Sequence, residues 1–291
     1  MGVIVNASMA EEQSMKILHA TDFSTSAKMA IPTLTALNQA TPVDLHLVHV
    51  VTAFWKDWLT SGLYEKEGMQ RLQAWESEII NEGYRDATLH IKKGNASDEV
   101  IVLAKEIHAD MIVIGADRPK GRKNFSMTGS TAAAIVRHAR QSVWLCKSEE
   151  TKRILCAVDG SDASRVALNK AIELTQHLNA SLCVMSVLPK ANFNPLGMDK
   201  MELVQEEEKF KEAKMGEIDE FLKKFDFKNL KPEHMYPWGV PSRTIMDIAE
   251  DFNYDLIVVG SKGHTRLEEV TMGSTAERIL RAAPCSLLVV R

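Results

Sequence analysis

The chain repeats itself, and that constrains its fold more than any other feature. Residues 16–24, KILHATDFS, return as RILCAVDGS at 153–161. Residues 110–115, DMIVIG, return as DLIVVG at 255–260, and GSTA stands at both 129–132 and 273–276. The three pairs keep their order at offsets of 137, 145 and 144 residues. A tandem duplication with small insertions accounts for this. One fold must therefore serve twice in 291 residues, a length that suits two domains of roughly 150 residues each. The polar run KSEETK, 147–152, marks the boundary, giving domains 1–148 and 152–291. Residues 1–150 and 151–291 each carry a net charge of −2, so neither half is a charged tail.

Within each half, short apolar runs rich in β-branched residues alternate with segments of helical period. In the second half, 154–158 reads as a buried strand, followed by a helix with apolar positions at Ala163, Val166, Ala167, Ala171, Leu174 and Leu178. Strands are predicted at 181–187, 230–236, 255–259 and 286–290. Helices are predicted at 201–225, at 241–252 with Pro241 at its first turn, and at 273–282. The first half follows the same plan, with strands near 16–21, 43–51, 88–92, 111–114 and 142–146. Pro32 lies inside its first helix and is expected to kink it. Strands separated by helices imply right-handed crossovers and a mostly parallel sheet covered on both faces: two Rossmann-like α/β domains in tandem.

Composition removes several functional classes. The net charge of −4 is too mild to announce nucleic acid or an anionic membrane as the main partner. No apolar run approaches the roughly 18–20 residues that span a bilayer. The opening MGVIVNASMAEEQSMKIL lacks a basic region before its brief apolar patch, unlike a secretory signal. Asn6 stands where a myristoylation signal needs Ser or Thr. The cytoplasm is the expected compartment. Cys146, Cys156, Cys183 and Cys285 lie in apolar runs with no close CxxC pair, as expected of buried reduced thiols.

In an open α/β sheet, ligands sit beyond the carboxyl ends of the strands, where the strand order reverses. After the strand at 255–259 comes GSKGHTRLEEVTMGSTAERIL. Gly260 and Gly263 let backbone amides approach an anion. Gly273 and Ser274 open a helix whose first turn presents free N–H groups and a positive dipole end, and Ser274 and Thr275 add hydroxyls. A tight turn followed by a helix cap has the same local spacing. Asp159, at the end of the strand at 154–158, suits a ribose hydroxyl or a hydrated cation on phosphates, or the N-cap of the next helix. His264 is placed to touch a phosphate or to face solvent. No GxxxxGK[ST] loop, GxGxxG turn or GxSxG elbow is present. Trp55, Trp58 and Trp75 read as packing or inter-domain contacts, since no basic residues interleave them.

The spacing Gly260, two residues, Gly263, nine residues, Gly273, Ser274 resembles the ATP-binding signature of the universal stress protein family. VDGS at 158–161 and GVPSRTIMDIAE from Gly239 resemble that family too. The resemblance covers essentially the whole chain, twice. It implies five-stranded parallel sheets of order 3-2-1-4-5, and last strands, 142–146 and 286–290, that pair to make an internal pseudo-dimer. It also implies ATP with magnesium as the ligand of the second half. Adenine would lie near Ala157, Val158 and Val187, the ribose near Asp159 and Gly260, and the phosphates near Ser261, Gly263, Gly273, Ser274 and Thr275. The implied function is a stress-response regulator in which nucleotide switches conformation or a protein partner, with further homodimerisation possible. Two alternatives stand beside it: a slow ATPase, with Asp159 on a metal and His264 near the terminal phosphate, and a scaffold that binds no nucleotide. The first half departs from the signature. Arg118 replaces the middle glycine, Pro119 removes a backbone donor, and the loop gains one residue. Arg118, Lys120, Arg122 and Lys123 read as a solvated basic loop or as a site for another anion or a partner. One ATP per chain is therefore expected.

Overall fold

The computed structural model describes residues 14–52, 61–84, 86–117, 129–189, 200–263 and 272–291. Among these residues, ten strands form one sheet. In chain order they are β1 (Met15–Ala20), β2 (Val43–Val51), β3 (Thr88–Lys93), β4 (Met111–Gly115), β5 (Ser142–Cys146), β6 (Arg153–Ala157), β7 (Ser181–Met185), β8 (Glu233–Met235), β9 (Leu256–Gly260) and β10 (Ser286–Val290). Their order across the sheet is β3-β2-β1-β4-β5-β10-β9-β6-β7-β8. This is 3-2-1-4-5 twice, as the resemblance implied. Within each half all neighbours are parallel. The halves join where β5 meets β10 antiparallel, with Leu145 opposite Leu287, Trp144 opposite Leu288 and Val143 opposite Val289. Every residue of both strands is buried, so the two most apolar sheet edges cover each other.

Helices lie on both faces because the strands are apolar on both. One core holds Ile17, Ile154 and Leu288 with Leu34, Leu72, Leu168 and Phe221. These last four belong to α2 (Ala30–Ala40), α3 (Ser61–Asn81), α6 (Asp162–His177) and α7 (Lys200–Leu222). The other core holds Leu18, Leu155 and Leu287 with Leu103, Ile135, Ile245 and Ile279. Those come from α4 (Ala96–Glu106), α5 (Ser130–His138), α8 (Pro241–Asp251) and α9 (Ser274–Ala282). Pro32 acts as expected. The first helix breaks at Met29 into α1 (Thr25–Lys28) and α2, because the proline ring and its missing N–H disrupt the bond to residue 28. β8 has only three residues of the seven predicted, since Pro232 and Pro237 bracket it and cannot donate to a ladder. Trp75 is core packing, stacked on the buried His19 with ring centroids 6.2 Å apart, and not an inter-domain contact. Trp55 and Trp58 lie outside the described residues. All four cysteines are buried thiols outside any disulfide. Among the described residues no helix is long and apolar enough to cross a membrane.

At the seam the halves exchange helix caps. Lys147 follows β5, and its Nζ donates to the Ala283 carbonyl, 2.9 Å away, at the carboxyl end of α9. Arg291 follows β10, and its guanidinium donates to the Val136 carbonyl at the end of α5 and, at 3.2 Å, to that of Gln141 just before β5. Each half thus supplies a cation to the negative end of the other half's last helix. Lys147 is 2 % exposed, and burial lowers its pKa to about 8.

Candidate functional site

β6 and β9 are neighbours while the chain passes from one side of the sheet to the other, so their carboxyl ends form the switch point of the second half. A cavity of about 590 Å³ opens there. Its lining combines apolar side chains, Met185, Val187, Ile245, Val259 and Met272, with Asp159, Lys262, Gly263, Ser274, Thr275 and Glu277. Nine of the eleven residues picked out by sequence line it: Ala157, Val158, Asp159, Val187, Gly260, Gly263, Gly273, Ser274 and Thr275. Ser261 does not. It is buried, its N–H bonds the Val290 carbonyl and its carbonyl accepts from Gly273 at 2.7 Å, so it ties the returning chain to the strand. His264 lies outside the described residues, as do Arg118, Pro119, Lys120, Arg122 and Lys123 of the first-half loop.

The turn after β6 gives the helix cap to a residue other than Asp159. The helix cap is Ser161, whose hydroxyl accepts from the Ser164 N–H at 3.2 Å. Asp159 instead accepts from the Ser161 N–H through Oδ1 at 3.0 Å, across Gly160 at a φ of 84°. Its other oxygen is turned toward Gly263: a Cβ built on that glycine would stand 2.9 Å from Oδ2. Gly263 has no left-handed φ. A side chain on residue 263 would press on this carboxylate or displace it. Gly260 lines the cavity and has a packing role as well. A Cβ there would meet the Ala163 backbone at 2.7 Å, so this glycine lets α6 lie against β9. Gly115 does the same in the first half, where a Cβ would fall 1.9 Å from the Ser26 carbonyl oxygen.

α9 begins at the cavity with Gly273 as its N-cap and no side-chain cap. Gly273 spends its own N–H on Ser261. The amides of Ser274, Thr275 and Ala276 have no acceptor within the helix, and all three residues line the cavity. α5 and α8 likewise start without a side-chain cap; at α9 the positive end of the helix suits an anion. Lys262 adds a cation that the spacing argument passed over. Glu277 was also missed, although it breaks the repeat: GSTAE stands where the first half has GSTAA. Its carboxylate is held by Arg137 from α5 at 2.8 Å and by Arg281 at 2.9 Å, and the hydrogen bonds from Arg137 keep it below the usual carboxylate range. Among the described residues no group of three or more His, Cys, Asp or Glu could hold a metal. A divalent ion would depend on Asp159 and on oxygens of the ligand.

The family model for the universal stress protein family matches the chain twice, at residues 14–147 and 150–291. A universal stress protein of Methanocaldococcus jannaschii is 33 % identical over 141 residues, which cover 48 % of this chain and 82 % of that one. The crystal structure of a universal stress protein from Archaeoglobus fulgidus superposes with a TM-score of 0.69 at 18 % identity, covering 96 % of this chain and 99 % of that one. The first likeness spans about half of the chain and the second nearly all of it. With two consecutive matches to its model, this chain belongs to the universal stress protein family.

Proposed function

We propose that the second half binds ATP with magnesium in the cavity between β6, β9 and the start of α9, and that the nucleotide acts as a switch of conformation or of a protein partner in a stress response. The observation that carries this reading is one cavity lined at once by the uncapped start of α9, by Gly263 and Lys262, and by the apolar side chains of Val187, Ile245 and Val259. Phosphates would take the amides of Ser274, Thr275 and Ala276 and the Lys262 ammonium. The base would lie against Val187 and its apolar neighbours, and Asp159 would meet the ribose or a hydrated magnesium ion. Bound magnesium would supply charge neutralisation on the phosphates. The division of labour extends to the domains: residues 1–148 carry a degenerate loop and residues 152–291 the working one. We place the work in the cytoplasm.

Native mass spectrometry of the whole chain tests this. A mass increment of an adenine nucleotide, lost in Gly263→Arg, is expected. No bound nucleotide at any added concentration would leave only a scaffold. Hydrolysis that stops in Asp159→Ala would make the second half a slow ATPase instead of a switch.

A further inference from the structure

The ionisable groups that line the cavity, among the described residues, do not suit an anion by themselves. Lys262 stands against two carboxylates, Asp159 and Glu277, a balance of −1. Glu277 lies in the first turn of α9, the turn whose amides would meet phosphate. Its charge opposes the helix dipole's attraction for an anion at that spot.

The first half supplies the correction. Arg137, on α5, reaches across the seam and donates to both carboxylate oxygens of Glu277, from Nε at 3.2 and 3.0 Å and from Nη2 at 2.8 Å. Arg281, one turn further along α9, donates to the same carboxylate at 2.9 Å. Arg137 and Arg281 are equivalent positions of the repeat, at the same offset of 144 residues as the two GSTA motifs. The pseudo-symmetric pair closes on a single acid, because Ala133 stands where the second half has Glu277. With the two arginines counted, the balance beside the cavity becomes +1.

We propose that Arg137 of the first half is a positioning residue for the anion site of the second: it holds and neutralises Glu277, so that the uncapped start of α9 can accept a phosphate chain. The anion site is then completed across the seam, and occupancy of the second half is coupled to the packing of α5 on α9. This rests on the proposed nucleotide site, and it assigns the first half a part in binding.

The test is calorimetric titration of magnesium-ATP into the full chain and three variants: Arg137→Gln, Glu277→Gln and the double variant. Counting charge, Arg137→Gln removes one positive unit, Glu277→Gln adds one, and the double variant restores the original sum while lacking the ion pair. The expected order of affinity is Glu277→Gln above wild type, the double variant near wild type, and Arg137→Gln below. Each step is about fivefold at low salt, shrinking as salt is raised toward about 1 M. A double variant as weak as Arg137→Gln, or differences insensitive to salt, would mean that the pair only packs the seam and would overturn the proposal. Four equal affinities would overturn it too. No binding to wild type would overturn the proposed function and this inference together, whereas binding without the charge order overturns this inference alone.

Discussion

A methyl group on Gly115 would stand 1.9 Å from the Ser26 carbonyl oxygen, and one on Gly260 2.7 Å from the Ala163 backbone. Both obstacles are helix backbone, which cannot swing aside as a side chain can. Gly115→Ala is expected to lower stability by about 1–3 kcal/mol through overpacking, read as a lower urea midpoint. Gly129 has nothing within 4 Å of its would-be Cβ and no left-handed φ, so Gly129→Ala should stay within about 0.5 kcal/mol of the parent. Equal losses would show that α1 does not lie as close to β4 as described. The same glycines show where sequence stops being legible. Their positions in the repeat announced that a Cβ is unwelcome. Whether an anion or a helix takes the room depends on which segment the fold lays beside them, and no local spacing contains that. Gly263 lines the cavity as its spacing suggested, but the neighbour its Cβ would meet, the Asp159 carboxylate, follows another strand and could not be read locally.

α9 condenses the element scale. Its amino end carries no side-chain cap and faces the cavity, while its carboxyl end is capped by Lys147 from the other half. The long strands and the amphipathic helices were legible, since apolar period and length agree in each. β8 was overestimated because its two flanking prolines were not weighed as limits on pairing. The exchanged caps were not legible at all: Lys147 and Arg291 each look like a solvated end of a strand until the fifth strands meet. Lys147 offers a measurable consequence. Its pKa is about 8 in the folded chain and near 10.5 unfolded. The unfolded chain therefore binds the proton more readily between these values, and stability rises with pH from about 8 toward 10, on the order of 1 kcal/mol per pH unit. Below pH 8 both states are protonated and the contribution is flat. Lys147→Met should remove the rise, measured as the urea midpoint against pH. The same slope in the variant would place the titration elsewhere.

At the scale of the molecule, ten strands share one sheet and the seam is a pair of fully buried strands. An isolated second half, residues 150–291, would expose β10 as an apolar edge. It is expected to self-associate through that edge and to elute from size exclusion as a dimer or larger, whereas the full chain keeps the edge covered. A well-behaved monomer would show that the β5–β10 pairing is dispensable. The duplication made this architecture readable from sequence. What broke the duplication proved as informative: Glu277 in place of Ala133, and Gly263 in place of Arg118. The central claim is that the two halves are unequal, with one nucleotide site per chain, in the second half. Calorimetric titration of the full chain with magnesium-ATP measures that directly. The account predicts a stoichiometry near one that vanishes in Gly263→Arg. Two sites of similar affinity, or one that survives Gly263→Arg, would contradict it.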